Sequence, residues 1–286
     1  MNDAGRTQDI VKLVIGIVTF NNPQRQLGQL LRSIELAVEG INETPVAVQV
    51  YVIDNGRKTT WAESNIEIIK FDSAGNIGFG NAMNVLMTAS FLDRTTKWFL
   101  CVNPDGVLHY KALNELLSRS RAARDSLIEA RQFPEEHPKQ YHPISLDTPW
   151  ASGACLLIPR NIFEAVGGFD PNFFMYLEDV DLSWRVRAAG FSIKVAPDAL
   201  FGHSVMDRKP DPWINRAYLI SGRYLAFKWG GAKFVRWAEK ELVKAGFFSS
   251  RAEMPPLPQL TLELQVHTSV ADFEHLFYFA PPRWVK

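Results

Sequence analysis

WASGACLLIPRNIFEAVGGFDPNFFMYLEDVDLSWRVR, residues 150–187, combines features that neither a core segment nor a surface segment needs. It begins as an apolar strand, passes through a glycine turn at 167–168, and places the aromatic run FFMY (173–176) shortly before the acidic sequence EDVD (178–181). An unpaired buried charge is strongly disfavoured, so a core segment would not carry three acids. A surface segment does not need the aromatic side chains. The combination is typical of a pocket wall that positions and partly desolvates a carboxylate.

The three acids also have a simpler explanation. Glu178, Asp179 and Asp181 fall in the first turn of a helix predicted over 178–189. The helix dipole favours negative charge there by ~0.3–1 kcal/mol. This explanation is adequate for one or two of the acids, but it does not account for the aromatic run that precedes them.

Apolar runs alternate with helical patterns along most of the chain. Strands are predicted at residues 12–20, 47–53, 66–71, 97–102, 150–158 and 192–196. Helices are predicted around Leu27–Ile34, from near Phe79, and over 110–124, 161–166 and 178–189. This alternation predicts an α/β protein with an open sheet that binds ligands along the carboxyl ends of its strands.

The interval 125–147 has the least regular pattern, with three prolines and mixed charge. We interpret it as a variable surface loop with one edge strand. His137 and His142 are expected to be solvated, because a zinc site would need clustered ligands at suitable spacing.

A glycine-rich sequence, AGNIGFGNAMN (74–84), follows the third strand. Gly75, Gly78 and Gly80 leave the backbone free to approach a ligand, and amide groups at a helix start can hold phosphate oxygens. A strand-to-helix connection that needs positive φ explains the glycines equally well. The spacing matches neither the dinucleotide fingerprint nor the P-loop, so both explanations stay open.

The tetrapeptide Asn103-Pro104-Asp105-Gly106 follows the strand at 97–102 directly. On its own it is a good turn sequence. It is also predicted to lie on the same sheet edge as Asp54 and the glycine loop. A carboxylate there suits a hard divalent cation that bridges a diphosphate, because such ions take oxygen ligands.

The totals describe an ordinary globular protein of 286 residues, long enough for one large α/β domain with or without a helical appendage. Lysine plus arginine equals aspartate plus glutamate, at 31 each, so no global field attracts nucleic acid or a membrane. Cys101 and Cys155 lie in apolar runs and are expected to be buried free thiols of a reducing compartment. The amino terminus lacks the apolar core of a signal peptide, and no run approaches the ~20 residues of a membrane span. A cytoplasmic location is therefore expected.

GGFDPNFFMYLEDVDLSWRVRAAG (167–190) resembles the acceptor-side motif of inverting GT-A glycosyltransferases of family 2, especially the rhamnosyltransferase-like branch. The glycine loop is similar to that family's GNxGFGxxxN element and NPD (103–105) to its acidic metal motif. The resemblance covers roughly residues 12–230. It implies a GT-A (Rossmann-like), mostly parallel mixed sheet flanked by helices over 1–206, with a C-terminal helical extension and tail over 207–286.

The resemblance also implies roles for individual residues. Asp179 would be the base that activates an acceptor hydroxyl, with Glu178 supporting it or contacting the sugar, and Asp181 structural. The implied nucleotide-sugar-binding residues are Thr19, Asn21, Asp54, Asn76, Gly78, Asn81, Asn103 and Asp105, with Asp54 recognising the nucleobase. The implied acceptor-side residues are Trp150, Ser152 and Gly153.

A divalent metal, Mn²⁺ or Mg²⁺, would be held by Asp105 and His203, because imidazole plus carboxylate suits such an ion and leaves positions for phosphate. The chain departs from the family pattern at two places. Asn103 replaces the first acid of the commoner metal motif, and SVM (204–206) replaces the usual small residues after the histidine.

The implied reaction is a single displacement at the anomeric carbon, in which an acceptor hydroxyl attacks and a nucleoside diphosphate leaves. The donor implied first is dTDP-rhamnose, followed by UDP-hexose or UDP-galactofuranose, and the acceptor is a glycan or lipid-linked cell-envelope molecule. One alternative is a non-catalytic nucleotide-sugar-binding scaffold on the same fold. The joint presence of Asp105, Glu178, Asp179 and His203 disfavours it. Another is a nucleotidyltransferase, but TFNNPQRQ (19–26) lacks the glycine-rich basic signature of that class.

Two helices are predicted after Asp211, at 213–229 and 232–248. The second is amphipathic, and its basic face is formed by Lys233, Arg236, Lys240 and Lys244. We favour a helix packed on the catalytic domain with a solvated basic face over an interfacial helix that brings the enzyme to a lipid-linked acceptor. The apolar LFYF (276–279) in the tail is expected to dock, with a second subunit of a homo-oligomer as one candidate surface.

Overall fold

The computed structural model describes residues 10–42, 45–56, 58–61, 63–137, 139–203, 211–259 and 268–273. The strands are β1 (Val11–Thr19), β2 (Val46–Asp54), β3 (Ile68–Phe71), β4 (Thr96–Val102), β5 (Gly106–Leu108), β6 (Ser126–Phe133), β7 (Cys155–Pro159) and β8 (Ser192–His203). The helices are α1 (Gln24–Glu39), α2 (Phe79–Leu92), α3 (Ala112–Ala122), α4 (Arg160–Val166), α5 (Glu178–Ala188), α6 (Pro212–Lys228) and α7 (Ala232–Lys244). Short 3₁₀ turns cover Arg251–Glu253 and Thr268–Val270.

Within the described residues, the strands form one mixed sheet in the order β3-β2-β1-β4-β7-β6-β8-β5. β1 pairs in parallel with β2 and β4, and β2 with β3. Both faces of β1 are covered, because Leu13, Ile15 and Ile17 join one apolar cluster while Val14 and Val18 join another. Burial on both faces explains why β1 reads as a continuous apolar run. The predicted α/β fold, a mostly parallel mixed sheet flanked by helices, is confirmed.

Polar residues meet at the edge where the parallel strands end. Thr19, the last residue of β1, pairs with Asp54, the last residue of β2. β4 ends at Val102, and antiparallel β7 begins beside it at Cys155. The NPDG turn after β4 and the loop 150–154 before β7 therefore emerge at the same edge of the sheet.

The predicted strand at 150–158 is too long, because β7 begins only at Cys155. Upstream of it the backbone turns toward α5. The N–H of Ala151 donates to Oγ of Ser183 at 3.0 Å, and the N–H of Gly153 donates to Oδ2 of Asp179 at 2.9 Å. Side chains of α5 thus accept the backbone hydrogen bonds that a neighbouring strand would otherwise accept.

In the interval 125–147 the predicted edge strand is wrong, whereas the described residues that follow Phe133 are irregular, as expected. β6 lies inside the sheet, between β7 and β8. Two of its buried residues, Glu129 and Gln132, are polar. They interrupt the apolar run by which a strand buried on both faces is recognised.

The two histidines of this interval differ from each other. His142 is exposed, as expected. His137 is half-buried, with its ring centroid 5.6 Å from that of Trp150, so the expectation that it is solvated is wrong. The ring of Trp150 packs against that of His137. A loop separates the two residues in the chain, so local sequence does not specify this contact.

β8 extends well past the predicted end at Ala196. Its pairing with β6 shifts register where Ala196 and Leu200 lie opposite consecutive residues of β6. The irregularity includes Pro197, which has no N–H for the ladder. His203 is consequently the last residue of β8, paired with Gly106 of β5, and not a residue beyond the strand as predicted.

α6 packs on the aromatic run, and α7 packs on α6. Asp211 caps α6 by accepting from the N–H of Trp213 at 2.8 Å. Ring contacts join α6 to the preceding segment, between Phe173 and Tyr224 at 4.8 Å and between Tyr176 and Tyr218 at 6.1 Å. α7 ends at Lys244, four residues before the predicted end. Its four basic residues named above are exposed, as the packed-helix interpretation expects.

Cys101 and Cys155 are buried free cysteines, as predicted. The proposed domain boundary at 206/207, the SVM sequence (204–206) and the LFYF sequence (276–279) lie outside the described residues, so the division into two domains stays a prediction. In the part of the chain that the structure describes, no helix is long and apolar enough to cross a membrane.

Candidate active site

Thr19 and Asp54 form a hydrogen-bonded group where β1 and β2 end. The hydroxyl of Thr19 donates to Oδ1 of Asp54 at 3.0 Å. The carboxylate also accepts from the N–H of Gly56 at 3.0 Å and from the N–H of Thr59 at 2.7 Å. Burial opposes ionisation, but these hydrogen bonds outweigh it and hold the pKa of Asp54 below its ordinary value. Asn21 lies beside this group, in contact with Gly56.

The glycine loop touches the aromatic run directly. Gly78 has φ +84°, and a Cβ on it would lie 2.1 Å from the carbonyl oxygen of Phe174. The same carbonyl accepts from the N–H of Phe79, the first residue of α2, at 3.1 Å. Gly78 is therefore required by close backbone approach as well as by positive φ. Asn76 accepts from the N–H of Gly78 at 3.1 Å, which shapes the turn, and its side chain is exposed at this edge.

Two asparagines of α2 hold the segment that leads to the acids. Asn81 donates to the carbonyl oxygens of Ile77 and Pro171, at 3.1 and 3.2 Å. Asn84 exchanges two hydrogen bonds of 2.8 Å with the backbone of Phe169. The structure thus gives Asn81 a bracing contact, and its predicted contact with a donor sugar stays a prediction.

Asp105 and His203, 98 positions apart in the chain, meet at the sheet edge. Nε2 of His203 lies 3.2 Å from Oδ1 of Asp105, and Nδ1 lies 2.9 Å from Oε1 of Gln132. The pairing of Gly106 with His203 brings the two side chains together. His203 is nearly fully buried, whereas the side chain of Asp105 keeps 21% of its exposure and can be reached by a ligand.

The turn that carries Asp105 is joined to the acids of α5 through the loop 150–154. The N–H of Asn103 donates to the carbonyl oxygen of Ala154 at 2.8 Å. The preceding residue, Gly153, donates its N–H to Asp179 at 2.9 Å. Two short links therefore hold the NPDG turn and the start of α5 at the same sheet edge.

Glu178 and Asp179 have different surroundings although they are neighbours. Asp179 is half-buried, and its carboxylate accepts from the N–H groups of Gly153 and Val180. Glu178 is 5% exposed, and its Oε2 has no hydrogen-bond partner among the described residues. Burial, with the charge of Asp179, raises the pKa of Glu178 to about 8. Burial also raises the pKa of Asp179, but the two N–H groups oppose that shift.

The third acid of the segment, Asp181, has its partners inside the protein. It is fully buried and accepts from Arg185 and from Nε1 of Trp229, both at 2.9 Å, and it pairs with Lys228 at 2.7 Å. It joins α5 to the end of α6, which is a structural role.

The predicted acceptor-side residues lie together in the loop before β7. Trp150 and Ser152 are buried, and the hydroxyl of Ser152 accepts from the N–H of Ala154 at 3.2 Å. Only Gly153 directly contacts one of the acids, through its N–H. A direct contact of Trp150 or Ser152 with an acceptor stays a prediction.

The chain is similar to a named L-rhamnosyltransferase and a named hexosyltransferase. No family model matches the chain. An N-acetylglucosaminyl-diphospho-decaprenol L-rhamnosyltransferase from Mycobacterium tuberculosis is 28% identical over 263 residues, covering 74% of this chain and 83% of the relative. A low-salt glycan biosynthesis hexosyltransferase, Agl10, from Haloferax volcanii is 25% identical over 168 residues, covering 50% of this chain and 54% of the relative.

Solved structures that share the fold include a mannosyltransferase and GalNAc-T7. A mannosyltransferase from Pyrobaculum calidifontis, in complex with GDP-Man and Mn²⁺, aligns with a TM-score of 0.56 at 14% identity, covering 84% of this chain and 70% of that one. GalNAc-T7 with UDP, GalNAc and Mn²⁺ aligns with a TM-score of 0.52 at 12% identity, and this chain spans 45% of its length while 71% of this chain is covered. This chain is a glycosyltransferase of the GT-A fold. The predicted resemblance to rhamnosyltransferases is confirmed by its named relatives.

The glycosyltransferase holds two atoms suited to a metal at the Asp105–His203 contact. When Nδ1–H donates to Gln132, Nε2 of His203 presents its lone pair beside a carboxylate oxygen. Two adjacent ligands of an octahedral ion with bonds of about 2.1 Å lie about 3 Å apart. The observed 3.2 Å fits that separation. Among the described residues, no group of three or more His, Cys, Asp or Glu side chains could hold a metal. Two protein ligands would leave the other positions open.

Several residues of this glycosyltransferase site were not predicted from the sequence. Asn55 donates to the carbonyl oxygen of Gly78 at 3.1 Å and so ties the end of β2 to the glycine loop. Gln132 likewise acts through a long-range contact, whereas Asn84 is the last residue of the GNxGFGxxxN element. The sequence feature that could have indicated Asn55 is its position directly after Asp54, at the end of a strand.

Proposed function

We propose that the protein is an inverting glycosyltransferase that moves a sugar, rhamnose in the first instance, from a nucleoside-diphosphate donor to a hydroxyl of a lipid-linked cell-envelope glycan. The observation that carries this proposal is the joining of Asp179 to the Asp105 turn through Gly153 and Ala154. The chemistry needs a base near the acceptor and positive charge near the leaving diphosphate. Both requirements have candidate residues at one edge of the sheet.

Asp179 is the proposed base. As the acceptor oxygen forms its bond to the anomeric carbon, its proton passes to a carboxylate oxygen of Asp179. The bond from that carbon to the diphosphate breaks, and the diphosphate leaves with the electron pair. Each oxygen of Asp179 already accepts one N–H, which orients the carboxylate and leaves lone pairs for the acceptor proton.

Glu178 is proposed to keep a proton at neutral pH. Two adjacent carboxylates repel each other when both are ionised, and the one with fewer hydrogen-bond donors keeps the proton. Glu178 is that group, since its Oε2 is buried without a partner among the described residues. The pair then carries one negative charge, on Asp179. A protonated Glu178 can donate a hydrogen bond to a sugar oxygen.

The donor is proposed to lie along the ends of β1, β2 and β4. Asp54, held by Thr19 and Thr59, faces the nucleobase with Asn21 beside it. Asn76, Gly78 and Asn81 line the sugar side of the donor site. The relative named as an L-rhamnosyltransferase supports dTDP-rhamnose as the donor to test first, with UDP-sugars second.

A divalent metal, Mn²⁺ or Mg²⁺, is proposed to bind Asp105 and His203, with Asn103 nearby. When bound, such an ion neutralises the charge that develops on a leaving diphosphate. The two solved neighbours that contain Mn²⁺ support this assignment. Asp105 would supply an oxygen ligand and His203 a nitrogen ligand, and the contact of Nδ1 with Gln132 would hold the imidazole in the tautomer that leaves Nε2 free to bind.

The acceptor is proposed to enter beside Phe174. A cavity of about 260 Å³ lies between the loop 172–175 and α6, and its lining includes Phe174, Trp213, Arg216 and Tyr224. Phe174 and Trp213 are exposed and meet edge to face, 6.4 Å between centroids. Exposed aromatic faces suit a pyranose ring, and Arg216 suits a phosphate group of a lipid-linked acceptor.

The exposed basic face of α7 is compatible with peripheral contact with an anionic membrane surface, which would bring the enzyme to such an acceptor. A cytoplasmic location and a homo-oligomer remain predictions. The relative's printed name, which includes a decaprenol-linked substrate, supports a lipid-linked acceptor here.

A thermal-shift panel of nucleoside diphosphate sugars with Mn²⁺ or Mg²⁺ tests the proposed donor. Ligand binding to the folded state raises the apparent melting temperature by mass action. We expect dTDP-rhamnose with metal to raise Tm the most. A panel in which no nucleotide sugar raises Tm, with or without metal, contradicts the proposal.

A further inference from the structure

A charged pair lies buried behind the loop 150–153. Glu129, in the middle of β6, is 3% exposed, and Lys139, in the segment after β6, is 6% exposed. The ammonium of Lys139 donates a hydrogen bond to the carboxylate of Glu129. Burying such a pair costs free energy that packed apolar residues would not, so its presence is not explained by stability alone.

Both members of the pair bond to the backbone of the loop. Lys139 donates to the carbonyl oxygen of Trp150 at 2.6 Å, and its Nζ lies 4.4 Å from the centroid of the Trp150 ring. Glu129 accepts from the N–H of Ser152. Thr148 adds a weaker bond to the same Trp150 oxygen at 3.3 Å. The loop is thus held on both sides of Ala151.

The next residue of the loop contacts the proposed base. Gly153 donates its N–H to Oδ2 of Asp179 at 2.9 Å. A displacement of the loop would therefore move a hydrogen bond that orients the carboxylate. Since the pair fixes Trp150 and Ser152, it fixes the position of that N–H as well.

The pair also acts on Asp179 through its charge. The ammonium of Lys139 lowers the pKa of Asp179 and so opposes the effect of burial. Among the described residues, titratable groups that also interact with the charge of Asp179 are Glu178 on the same helix, Glu129 on β6, Cys101 on β4 and Tyr218 on α6. Burial and the charge of Asp179 raise the pKa of Tyr218 and Cys101, which keeps both neutral. Among these groups, Lys139 is therefore the cation that acts on Asp179.

We propose that Glu129 and Lys139 are positioning residues of the transfer reaction, which hold the loop 150–153 against Asp179 and place the ammonium of Lys139 behind it. The inference rests on the proposed role of Asp179 as the base. Neither residue touches a substrate in this account. Their effect reaches the reaction through Gly153 and through the field at Asp179.

The pH dependence of transfer tests the inference. Lys139→Met removes the cation, so the acid limb of kcat should move to higher pH by ~0.5–1 unit, with the donor KM little changed. Lys139→Arg keeps the charge and should keep the wild-type limb. Because Lys139→Met leaves Glu129 alone in the core, the double variant Glu129→Gln/Lys139→Met is measured beside it. It has no unpaired buried charge and should show a shift in the same direction, smaller because the opposing charge of Glu129 is removed as well.

Lys194→Met is the matched control, since Lys194 pairs with Asp147 at 2.7 Å at the surface of the same region. It should leave the pH profile unchanged. An unchanged acid limb in the folded double variant overturns the inference. So does the same shift in Lys194→Met. Asp179→Asn, assayed in parallel, separates the two proposals: if it retains turnover, the base assignment itself has failed, whatever the Lys139 variants do.

Discussion

The N–H of Gly153 donates a hydrogen bond to Oδ2 of Asp179 at 2.9 Å. The next residue, Ala154, accepts from the N–H of Asn103 at 2.8 Å. Two consecutive residues thus join the start of α5 to the turn that carries Asp105. A Cβ on Gly153 would lie 3.1 Å from the ring of Phe79, so the loop fits closely between α2 and α5. The separation of the proposed base from the proposed diphosphate site is set by the backbone.

Glu178→Gln should stabilise the protein at pH 8 and have a smaller effect at pH 5. The pKa of Glu178 is about 8 in the folded protein, against an ordinary value of 4.5. Below pH 4.5 Glu178 is protonated in both the folded and the unfolded state. Between pH 4.5 and about 8 it is protonated only in the folded state, so the free energy of unfolding falls as pH rises through that window. Glutamine removes this dependence. We expect a Tm gain above ~5 °C at pH 8. Equal gains at both pH values would contradict the assignment.

Gly78→Ala should destabilise the protein by ~2 kcal/mol or more, because the new Cβ would meet the carbonyl oxygen of Phe174 at 2.1 Å and the residue has φ +84°. Gly75→Ala is the matched control, since Gly75 also has positive φ but nothing lies within 4 Å of its Cβ position. Denaturant unfolding should show the larger loss at Gly78. Equal losses would mean that the contact with Phe174 is unimportant.

The elements that sequence reasoning predicted well are those whose signal is local. β1 and β4 are set by apolar runs that are buried over most of their length, and the start of α2 at Phe79 follows the glycine loop as predicted. β6 was predicted as an edge strand because Glu129 and Gln132 are buried polar residues whose partners, Lys139 and His203, lie elsewhere in the chain. A pattern of burial is readable from sequence, whereas the partner that makes a buried charge tolerable is not.

The same limit applies to the site. Asp105 and His203 were chosen by resemblance, and only the pairing of β5 with β8 brings them within 3.2 Å of each other. The extension of β8 past Pro197 makes that pairing, and no local signal indicates it. Asp181 shows the converse, since it shares the helix start with Asp179 but turns toward Arg185 and Trp229.

Asp105→Asn and His203→Gln should each weaken Mn²⁺ binding in the presence of nucleoside diphosphate by at least ~10-fold, because each removes one of two proposed protein ligands. Calorimetric titration with Mn²⁺ measures this without reference to turnover. His142→Gln changes an exposed histidine and serves as the control. Wild-type affinity in both variants would remove the metal from this contact.

Trp213→Ala should raise the acceptor KM by at least ~5-fold while the donor KM stays unchanged, because an exposed aromatic face of the proposed acceptor cavity is lost. Trp237→Ala is the matched control, since the two tryptophans are 46% and 47% exposed and Trp237 lies on α7, away from that cavity. A comparable rise in acceptor KM for Trp237→Ala would place the acceptor elsewhere.

The most direct measurement compares wild-type protein with Asp179→Asn in a sugar-transfer assay, together with calorimetric binding of the nucleoside diphosphate donor. Asparagine is nearly isosteric but cannot accept the acceptor proton. The account predicts that transfer falls by ~10²–10⁴-fold while donor affinity stays within a few-fold of wild type. Turnover near the wild-type level in Asp179→Asn would contradict it, and an absence of transfer in the wild type with donor binding retained would favour the scaffold alternative.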